Sequence, residues 1–297
     1  MWYEQREQSA GRLRIYSLWL VYRIFGKRAV QWLLWPVFAF IYPWCKPARA
    51  ALAEYYQVTG VKPRPFRHLL NFAWSMLDKT DACTLCKDPP AIEVAGDGGW
   101  DRGAFLISTH LGCIEVLPAL AAQTAVGAKI PMVHAFQQLS HDTIFTSLCL
   151  KYLNGRFRLH AVEDIGVETA VEMQSEIRRG NLVLMAGDRP AAGGTATLAR
   201  DFFGRPCRFP KGVFTFARLM EAPVYAITCV KTGRNRYQVK AKRLAGNLVD
   251  DYVAFLESET RAHPYDWFQF YPFFDTARLE GSRRPVAAHK SVRGAAP

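Results

Sequence analysis

The sequence predicts an α/β fold in which a mixed central sheet is covered by helices on both faces, preceded by a helical membrane-associated N-terminal segment. Three observations support this prediction. Short apolar runs alternate with helix-like stretches through the middle of the chain. These runs are continuously apolar, which is typical of central strands that are buried on both faces. The first 80 residues, in contrast, show helix-like spacing without strand alternation.

The composition is that of a folded protein with basic ends. Of 297 residues, 50% are hydrophobic and 22% are charged, which excludes an intrinsically disordered chain. The net charge of +12 is unevenly placed. Residues 1–68 carry 11 basic and 3 acidic side chains, and residues 276–297 carry 5 and 1. Basic ends around a neutral middle suggest contact with a polyanion at the periphery.

The N-terminal segment indicates that this polyanion is a membrane surface. Five of the eight Trp lie in the first 44 residues, and residues 29–45 are uncharged, reading AVQWLLWPVFAFIYPWC. Basic residues flank this run, an arrangement that membrane interfaces select. The run is short for a full span, and Pro36 should kink a helix there. We expect an embedded or re-entrant helix, with a buried core helix as the alternative. A cleavable signal peptide fits poorly, because a long polar stretch comes first.

The elements follow from the spacing of apolar residues and from capping signals. Before the sheet, helices are predicted at residues 12–25 and 66–77, followed by a Pro- and Gly-rich loop at 87–103. The predicted strands are residues 104–109, 131–136, 157–162, 181–186, 223–230 and 237–242. Between them, helices are predicted at 113–126, from 137 to about 152, at 164–180 with Asp164 as N-cap, and from Pro210 to about 220. The predicted domains are a helical segment (1–80), an α/β domain (81–275) and a disordered basic tail (276–297).

The seven cysteines do not form a recognisable metal-binding or disulfide pattern. Cys83 and Cys86 make one Cys-x-x-Cys pair, but no second pair of Cys or His follows at zinc-ligand spacing. We therefore expect free thiols in a reducing compartment, and no metal site.

A candidate catalytic pair follows the first predicted strand. In α/β sheets, active groups collect at the carboxyl ends of strands, and this strand ends in Ser-Thr-His110. Glu115 comes five residues later, about one turn away if a helix begins near Leu111. A carboxylate there can fix the imidazole tautomer and leave the other nitrogen as a general base. On spacing alone, a capping His beside an incidental surface Glu explains the pair equally well.

Two further polar clusters follow in the chain. Asp188 and Arg189 come directly after the strand predicted at 181–186. Arg205, Arg208 and Lys211 precede or begin the helix predicted after Pro210. Because a helix N-terminus attracts anions, we expect these three cations to crowd an anion site there. The alternative is a solvated basic turn.

Taken in order, these segments resemble the lysophospholipid acyltransferase superfamily, in particular its branch of lipid A late acyltransferases and related predicted acyltransferases. The resemblance covers nearly the whole chain and includes its basic, Trp-rich N-terminus. The motifs that carry it are STHLGCIE (108–115), GDRP (187–190), DFFGRPCRFPKG (201–212), EAPVYA (221–226) and HPYDWFQFYPFF (263–274).

The resemblance implies transfer of a fatty acyl group from a thioester, on acyl carrier protein or coenzyme A, to a lipid hydroxyl. The family's His-x4-acid motif maps onto His110 and Glu115. In the glycerolipid branches a Phe-Pro-Glu-Gly motif binds phosphate, but here Lys211 replaces its acid, which weighs against a glycerophosphate acceptor. Cys113 suggests a thiol nucleophile, yet the family pattern gives that position no such role. Basic flanks on both sides of the apolar run predict that it enters and leaves on the cytoplasmic face of a bacterial inner membrane, and the reaction requires no cofactor.

Acyl transfer of this kind leads to expectations for individual residues. His110 would take the proton of the acceptor hydroxyl, and backbone N–H groups after His110 are candidate donors to the tetrahedral oxyanion. Asp188 and Arg189, with the later basic cluster, are expected to bind substrate, since Arg favours bidentate phosphate contacts. A non-catalytic lipid-binding or scaffold protein of the same fold is the alternative. A nucleic-acid binder is disfavoured, because no finger, helix-turn-helix or RNP signature is present.

Overall fold

The computed structural model describes residues 12–83, 90–117, 131–138, 157–190 and 196–274. Its nine strands are β1 (Ala91–Gly96), β2 (Ala104–Gly112), β3 (Val133–Gln137), β4 (Phe157–Ala161), β5 (Leu182–Ala186), β6 (Thr197–Phe202), β7 (Arg205–Pro210), β8 (Val224–Gly233) and β9 (Arg236–Arg243). Seven of them form one mixed sheet in the order β1-β9-β8-β2-β5-β3-β4, and β6 and β7 form a separate antiparallel pair.

The helices of this part of the chain are α1 (Arg12–Ile41), α2 (Lys46–Thr59), α3 (Pro65–Cys83), α4 (Val167–Arg178), α5 (Lys211–Leu219) and α6 (Leu248–Ala262). Together with the mixed sheet they confirm the predicted α/β class. The helix expected after Pro210 is α5, with Pro210 as its N-cap.

Strand β2 lies at the centre of the sheet, parallel to β5 on one side and to β8 on the other. Its residues face two separate apolar clusters. Phe105 and Ile107 belong to a cluster that includes residues of α2, α4, α5 and α6. Leu106 faces the other cluster, which contains Trp100 and Cys113. All three strand residues are fully buried, so a continuously apolar run is what this position requires.

Several elements differ from the sequence prediction. The expected loop at 87–103 contains β1, an edge strand that pairs in parallel with β9 and is largely exposed. The sequence analysis did not predict β1, because the apolar pattern of this strand is weak. The β6–β7 pair and α6 were not predicted either. Asp164 does not cap α4: Gly166 is the N-cap, and Asp164 lies in a short 3-10 turn. Most of the helices predicted at 113–126 and from 137 to about 152, and the predicted tail, fall outside the described residues; residues 114–116 form a short 3-10 turn.

Helix α1 carries an exposed apolar surface. Trp32 is 80% exposed and Phe40 is 72% exposed, whereas Val30 and Phe38 on the same helix are buried. The break in α1 lies at Gly26, whose φ of 80° is not helical, and the helix continues through Pro36. The exposed side chains contradict the buried-core alternative, while the expected kink at Pro36 stays a prediction. In the part of the chain that the structure describes, no helix combines the length and apolarity needed to cross a bilayer.

A buried ionic cluster joins α1 to α3 and the sheet. The Lys27 Nζ atom lies 2.8 Å from Asp78 Oδ1 and 3.3 Å from Asp81 Oδ2, and Tyr22 donates its hydroxyl to Asp81. From β8, the Lys231 Nζ atom lies 2.7 Å from Asp78 Oδ2. Burial works to lower the pKa of Lys27, but the two carboxylates raise it above its usual value. Breaking such a cluster leaves a buried charge unpaired, so it fixes α1 firmly against the domain.

Candidate active site

His110 lies within β2 near its carboxyl end. The helix expected near Leu111 does not form there, because the strand continues to Gly112 and pairs with a segment from the far end of the chain. The Gly112 N–H donates to Asp266 O at 2.8 Å, and the Phe268 N–H donates to His110 O at 2.9 Å. The imidazole remains partly open to solvent, with 33% of the side chain exposed.

The carboxylate that holds His110 is Asp188. Strands β2 and β5 are parallel neighbours with Ser108 opposite Ala186, so two further residues along each strand bring His110 beside Asp188. The His110 Nδ1 atom lies 2.6 Å from Asp188 Oδ1, and the His110 backbone N–H donates to Oδ2 at 2.8 Å. We call His110 and Asp188 the dyad.

Asp188 is fully buried, and four donors hold it ionised. Besides the two from His110, the Trp267 indole N–H and the Gln269 amide reach Oδ2 at 3.2 and 3.0 Å. Burial alone would raise the pKa of the Asp188 carboxyl. The electrostatic interaction with His110, the hydrogen bonds that His110 donates and the nearby Arg189 outweigh burial and lower this pKa to about 2.

This arrangement sets the tautomer of His110. An ionised carboxylate only accepts hydrogen bonds, so Nδ1 carries the hydrogen and Nε2 keeps its lone pair. A buried negative charge next to the ring also stabilises the imidazolium that forms when Nε2 takes a proton. The geometry is therefore that of a general base for a hydroxyl or a similar weak acid.

Glu115, the predicted partner of His110, lies in a short 3-10 turn from Ile114 to Val116. Its side chain falls outside the described part of the structure, so its catalytic role stays a prediction. Sequence reasoning did single out Asp188, but as a substrate-binding residue. The pairing with His110 depends on the β2–β5 register, which no local pattern reveals.

Two glycines flank the dyad where no side chain fits. Gly112 has a φ of 77°, and a Cβ there would lie 2.0 Å from Cys229 O. A Cβ on Gly187 would lie 2.5 Å from Ile107 Cγ2 and 2.7 Å from the Tyr252 ring. Contacts this short are forbidden, so both glycines are needed for the close approach of the strands around the dyad.

The segment that supplies Trp267 and Gln269 is held in place by the N-terminal helices. His68 of α3 lies with its Nε2 atom 2.8 Å from Trp267 O, and the Tyr55 hydroxyl of α2 donates to Pro264 O at 2.8 Å. Asn71 donates to Tyr265 O at 3.2 Å. Sequence reasoning noted this aromatic segment but gave it no chemical role. Its Trp and Gln donors could be assigned only once the fold placed them on Asp188.

Arg189 forms hydrogen bonds within the protein. Its Nε atom donates to Gln269 Oε1 at 2.8 Å, and Nη2 donates to Phe268 O at 2.6 Å. The guanidinium carbon lies 5.8 Å from the centre of the Tyr271 ring. Arg189 thus fixes the same segment that positions Asp188, and its predicted contact with substrate stays a prediction.

The three cations of the later cluster are not gathered at one helix N-terminus. Arg205 is the first residue of β7, a strand of six residues, and Lys211 begins α5 directly after that strand. Five residues of extended chain span about 16 Å, so Arg205 lies far from the helix start. Arg208 is exposed midway along the strand, and the Lys211 N–H already donates to Ala196 O at 3.1 Å. The expectation of a crowded anion site is wrong, although a substrate contact by any one of these residues stays a prediction.

The backbone N–H groups directly after His110 are also occupied. Leu111 donates to Thr109 Oγ1 at 3.1 Å, Gly112 to Asp266 O at 2.8 Å, and Cys113 to Cys229 O at 2.7 Å. The expectation that these groups form an oxyanion hole is therefore wrong for these three positions.

The described part of the chain contains no cluster of three or more His, Cys, Asp or Glu that could hold a metal ion. Within this part, Cys45, Cys113, Cys207 and Cys229 form no disulfide bond.

Comparisons with known proteins give distant structural similarity and no sequence match. No family model matches the chain, and no curated protein matches it. Among solved structures, the chain is similar to the 1-acyl-sn-glycerophosphate acyltransferase PlsC from Thermotoga maritima. The similarity covers 80% of this chain and 98% of that chain, with 13% sequence identity and a TM-score of 0.34. Both values are low, so the functional argument rests on the geometry of the site.

Proposed function

We propose that the chain is an acyltransferase that moves a fatty acyl group from an acyl thioester to a hydroxyl of a membrane lipid or glycolipid. The observation that carries this proposal is the dyad, in which buried Asp188 holds Nδ1 of His110 at 2.6 Å and leaves Nε2 as a base. The order of sequence motifs, which resembles lipid A late acyltransferases, supports the same reaction.

In this reaction the acceptor hydroxyl attacks the thioester carbonyl while Nε2 of His110 takes its proton. The new C–O bond forms as the carbonyl electrons move onto oxygen. Collapse of the tetrahedral intermediate breaks the C–S bond, and the departing thiolate receives the proton from Nε2. Asp188 stabilises the transient imidazolium by its charge. Acid–base catalysis by one His thus serves both steps, and the enzyme itself forms no covalent intermediate.

The donor is acyl carrier protein or acyl-coenzyme A, because the sequence resemblance implies a thioester. A thioester with a free hydroxyl acceptor requires neither a metal nor a redox cofactor. The chain length of the acyl group would be set by groove depth, since each buried CH2 contributes about 0.8 kcal/mol.

We further propose that α1 seats the enzyme on the cytoplasmic face of a bacterial inner membrane. The exposed side chains of Trp32 and Phe40 provide an apolar surface. Arg23 and Arg28 on the same helix, and Lys46 at the start of α2, are exposed cations that suit anionic headgroups.

The membrane proposal is tested by the double substitution of Trp32→Ser and Phe40→Ser. Deleting α1 would be a poorer test, because it would leave Asp78 and Asp81 without Lys27. The variant should lose most of its sedimentation with vesicles that contain anionic lipid. Val167→Ser removes another apolar side chain, which is 83% exposed on α4, and should sediment like the wild type. Equal binding by all three proteins would show that the membrane contact lies elsewhere.

A non-catalytic lipid-binding protein of the same fold is the second candidate. Assay of acyl transfer from acyl carrier protein and from coenzyme A to membrane lipid extracts separates the two. We expect transfer by the wild-type protein and a loss of about 100- to 10,000-fold in His110→Ala, with thermal stability retained. Wild-type turnover in His110→Ala would contradict the mechanism. Absence of transfer with every donor and extract would favour the binding protein.

A further inference from the structure

A pocket of about 380 Å³ lies at the carboxyl end of β2, between α1, α3 and the β8–β9 hairpin. This volume is within the range of small-ligand sites. Gly112 and Phe268 form part of its wall. Gly112 follows His110 by two strand residues, about 7 Å, and the Phe268 N–H is bonded to His110 O. A group bound in this pocket would therefore lie beside the catalytic base.

Three cations line the pocket, namely Arg67, Lys231 and Arg234. Lys231 is paired with Asp78, and the second oxygen of Asp78 is paired with Lys27, so this carboxylate is fully compensated. Arg67 and Arg234 form no ion pair within the described residues. Arg67 instead lies over the Tyr265 ring at 5.6 Å, and Arg234 is exposed at the tip of the hairpin. These two guanidinium groups remain available to an anion.

One acidic residue of the pocket, Asp266, would repel a bound anion. Asp266 lines the pocket as well, and its Oδ1 atom accepts a hydrogen bond from Asn71 at 3.0 Å. Burial raises the pKa of the Asp266 carboxyl. As the pH falls, this carboxyl therefore becomes neutral sooner and repels a bound anion less. With Asp78 compensated, the two arginines still outnumber the single acid.

The pocket also contains polar groups that lack partners. Trp74 Nε1 and Ser75 Oγ are buried and have no hydrogen-bond partner in the described structure, and both residues line the pocket. The indole N–H can only donate. A buried donor left unsatisfied costs about 1–3 kcal/mol, so a ligand oxygen that accepts from it would be favoured.

The position of the pocket relative to α1 indicates how a ligand would enter. Gln31 lines the pocket, and the next residue, Trp32, belongs to the exposed apolar surface of α1. A lipid whose chains stay in the bilayer at α1 could therefore place its headgroup in the pocket.

We propose that this pocket binds the oxyanionic headgroup of a lipid, through a phosphate or a carboxylate held by Arg67, Arg234 and the indole of Trp74. That this lipid is the acyl acceptor rests on the proposed function, because it places the lipid hydroxyl beside His110. The binding itself does not depend on catalysis.

Binding is measured first with the full-length His110→Ala variant, so that no turnover occurs. Vesicles of phosphatidylcholine are compared with vesicles that also contain phosphatidic acid. We expect Arg234→Ala to weaken binding to the second kind by about tenfold, the usual size for a hydrogen bond to a charged group. Arg236→Ala removes the same charge from an exposed position on the same hairpin but outside the pocket, and should change binding less than about twofold.

A second arm separates a lipid headgroup from a free anion and tests the indole. Glycerol 3-phosphate, succinate and inorganic phosphate are titrated against the protein in detergent. Saturable binding that Arg67→Ala and Trp74→Phe both weaken supports the pocket, and tighter binding to vesicles than to the free anions supports a lipid source. If the free anions bind as tightly as vesicles, the ligand is a soluble anion, and the lipid assignment is wrong.

Two outcomes distinguish this proposal from the proposed function. If Arg234→Ala and Arg236→Ala weaken binding equally, the contact is diffuse surface charge and the pocket proposal fails, whatever the activity of the wild type. If Arg234 matters for binding but the wild type transfers no acyl group, the pocket stands and the acyltransferase proposal fails.

Discussion

His110 on β2 and Asp188, two residues beyond the end of the parallel neighbour β5, lie with Nδ1 and Oδ1 2.6 Å apart, although they are 78 positions apart in the chain. The carboxylate is completely buried, while a third of the imidazole side chain is exposed. The buried Asp188 carboxylate therefore fixes Nδ1 of His110, while part of the imidazole ring stays open to solvent. This is the arrangement that a base needs in order to collect a proton from a bound substrate.

The first prediction asks which carboxylate orients the base. Asp188→Asn should lower kcat by at least about 100-fold, since the amide can place its N–H group against Nδ1 and favour the wrong tautomer. Glu115→Gln should cost less, because the contacts of Asp188 with His110 remain. Steady-state kinetics on both variants, with thermal stability as the control, decides between them. A larger loss in Glu115→Gln would restore the pairing expected from the sequence.

The second prediction concerns the indole donor on Asp188. Trp267→Phe keeps most of the buried ring but removes the N–H that lies 3.2 Å from Oδ2. We expect a loss of about 1 kcal/mol in the free energy of unfolding. We also expect a several-fold drop in kcat with little change in KM, since the residue positions the dyad without touching substrate.

Trp100→Phe is the control for that change, because Trp100 is a buried indole in the apolar cluster of the opposite face of the sheet. It should affect stability but not the pH profile of kcat. If the two variants behave alike in their pH profiles, Trp267 has only a packing role.

The third prediction concerns pH and His68. Burial lowers the pKa of His68 from 6.5 to about 4, with a partial offset from the hydrogen bond to Trp267 O. The unfolded chain therefore binds a proton at a higher pH than the folded one. The stabilising contribution is complete above pH 6.5 and is lost as the pH falls towards 4. At about 1.4 kcal/mol per pKa unit, the loss reaches about 3 kcal/mol.

His68→Gln provides the comparison, since an amide can donate to Trp267 O and accept from the Tyr56 hydroxyl, which lies 3.2 Å from His68 Nδ1, but cannot titrate. Denaturant unfolding between pH 7 and pH 4 should show a shallower loss of stability in this variant than in the wild type. Because His134 and His160 also have lowered pKa values owing to burial, only the difference between the two proteins reports on His68. Parallel curves would mean that His68 titrates normally in the folded state.

The fourth prediction concerns the close approach of the strands. Gly187→Ala should destabilise the fold by about 1–3 kcal/mol, because the added methyl group meets Ile107 and the Tyr252 ring. It should also reduce activity, since Asp188 follows directly. Gly212→Ala is the matched control: nothing lies within 4 Å of a Cβ there, and its φ is not in the left-handed region. Thermal unfolding of both variants checks this, and equal melting temperatures would contradict the steric argument.

The sequence by itself determined the class of the fold and the candidate base. Continuous apolar runs placed β2 and β5 in the centre of the sheet, and the rule that strand ends carry function pointed to His110 and to Asp188. These conclusions depend on local chemistry, namely burial on two faces and the residue types at the ends of the runs.

Only the tertiary structure decided which groups meet. The β2–β5 register pairs His110 with Asp188, and the pairing of residues 266–268 with the end of β2 brings in Trp267 and Gln269. The extended β7 separates Arg205 from Lys211, although they are close in sequence. Such contacts arise from strand register and from segments 78 or more positions apart, and no local spacing encodes them. The sequence therefore predicted the candidate reactive residues, while the tertiary structure determined which groups they contact.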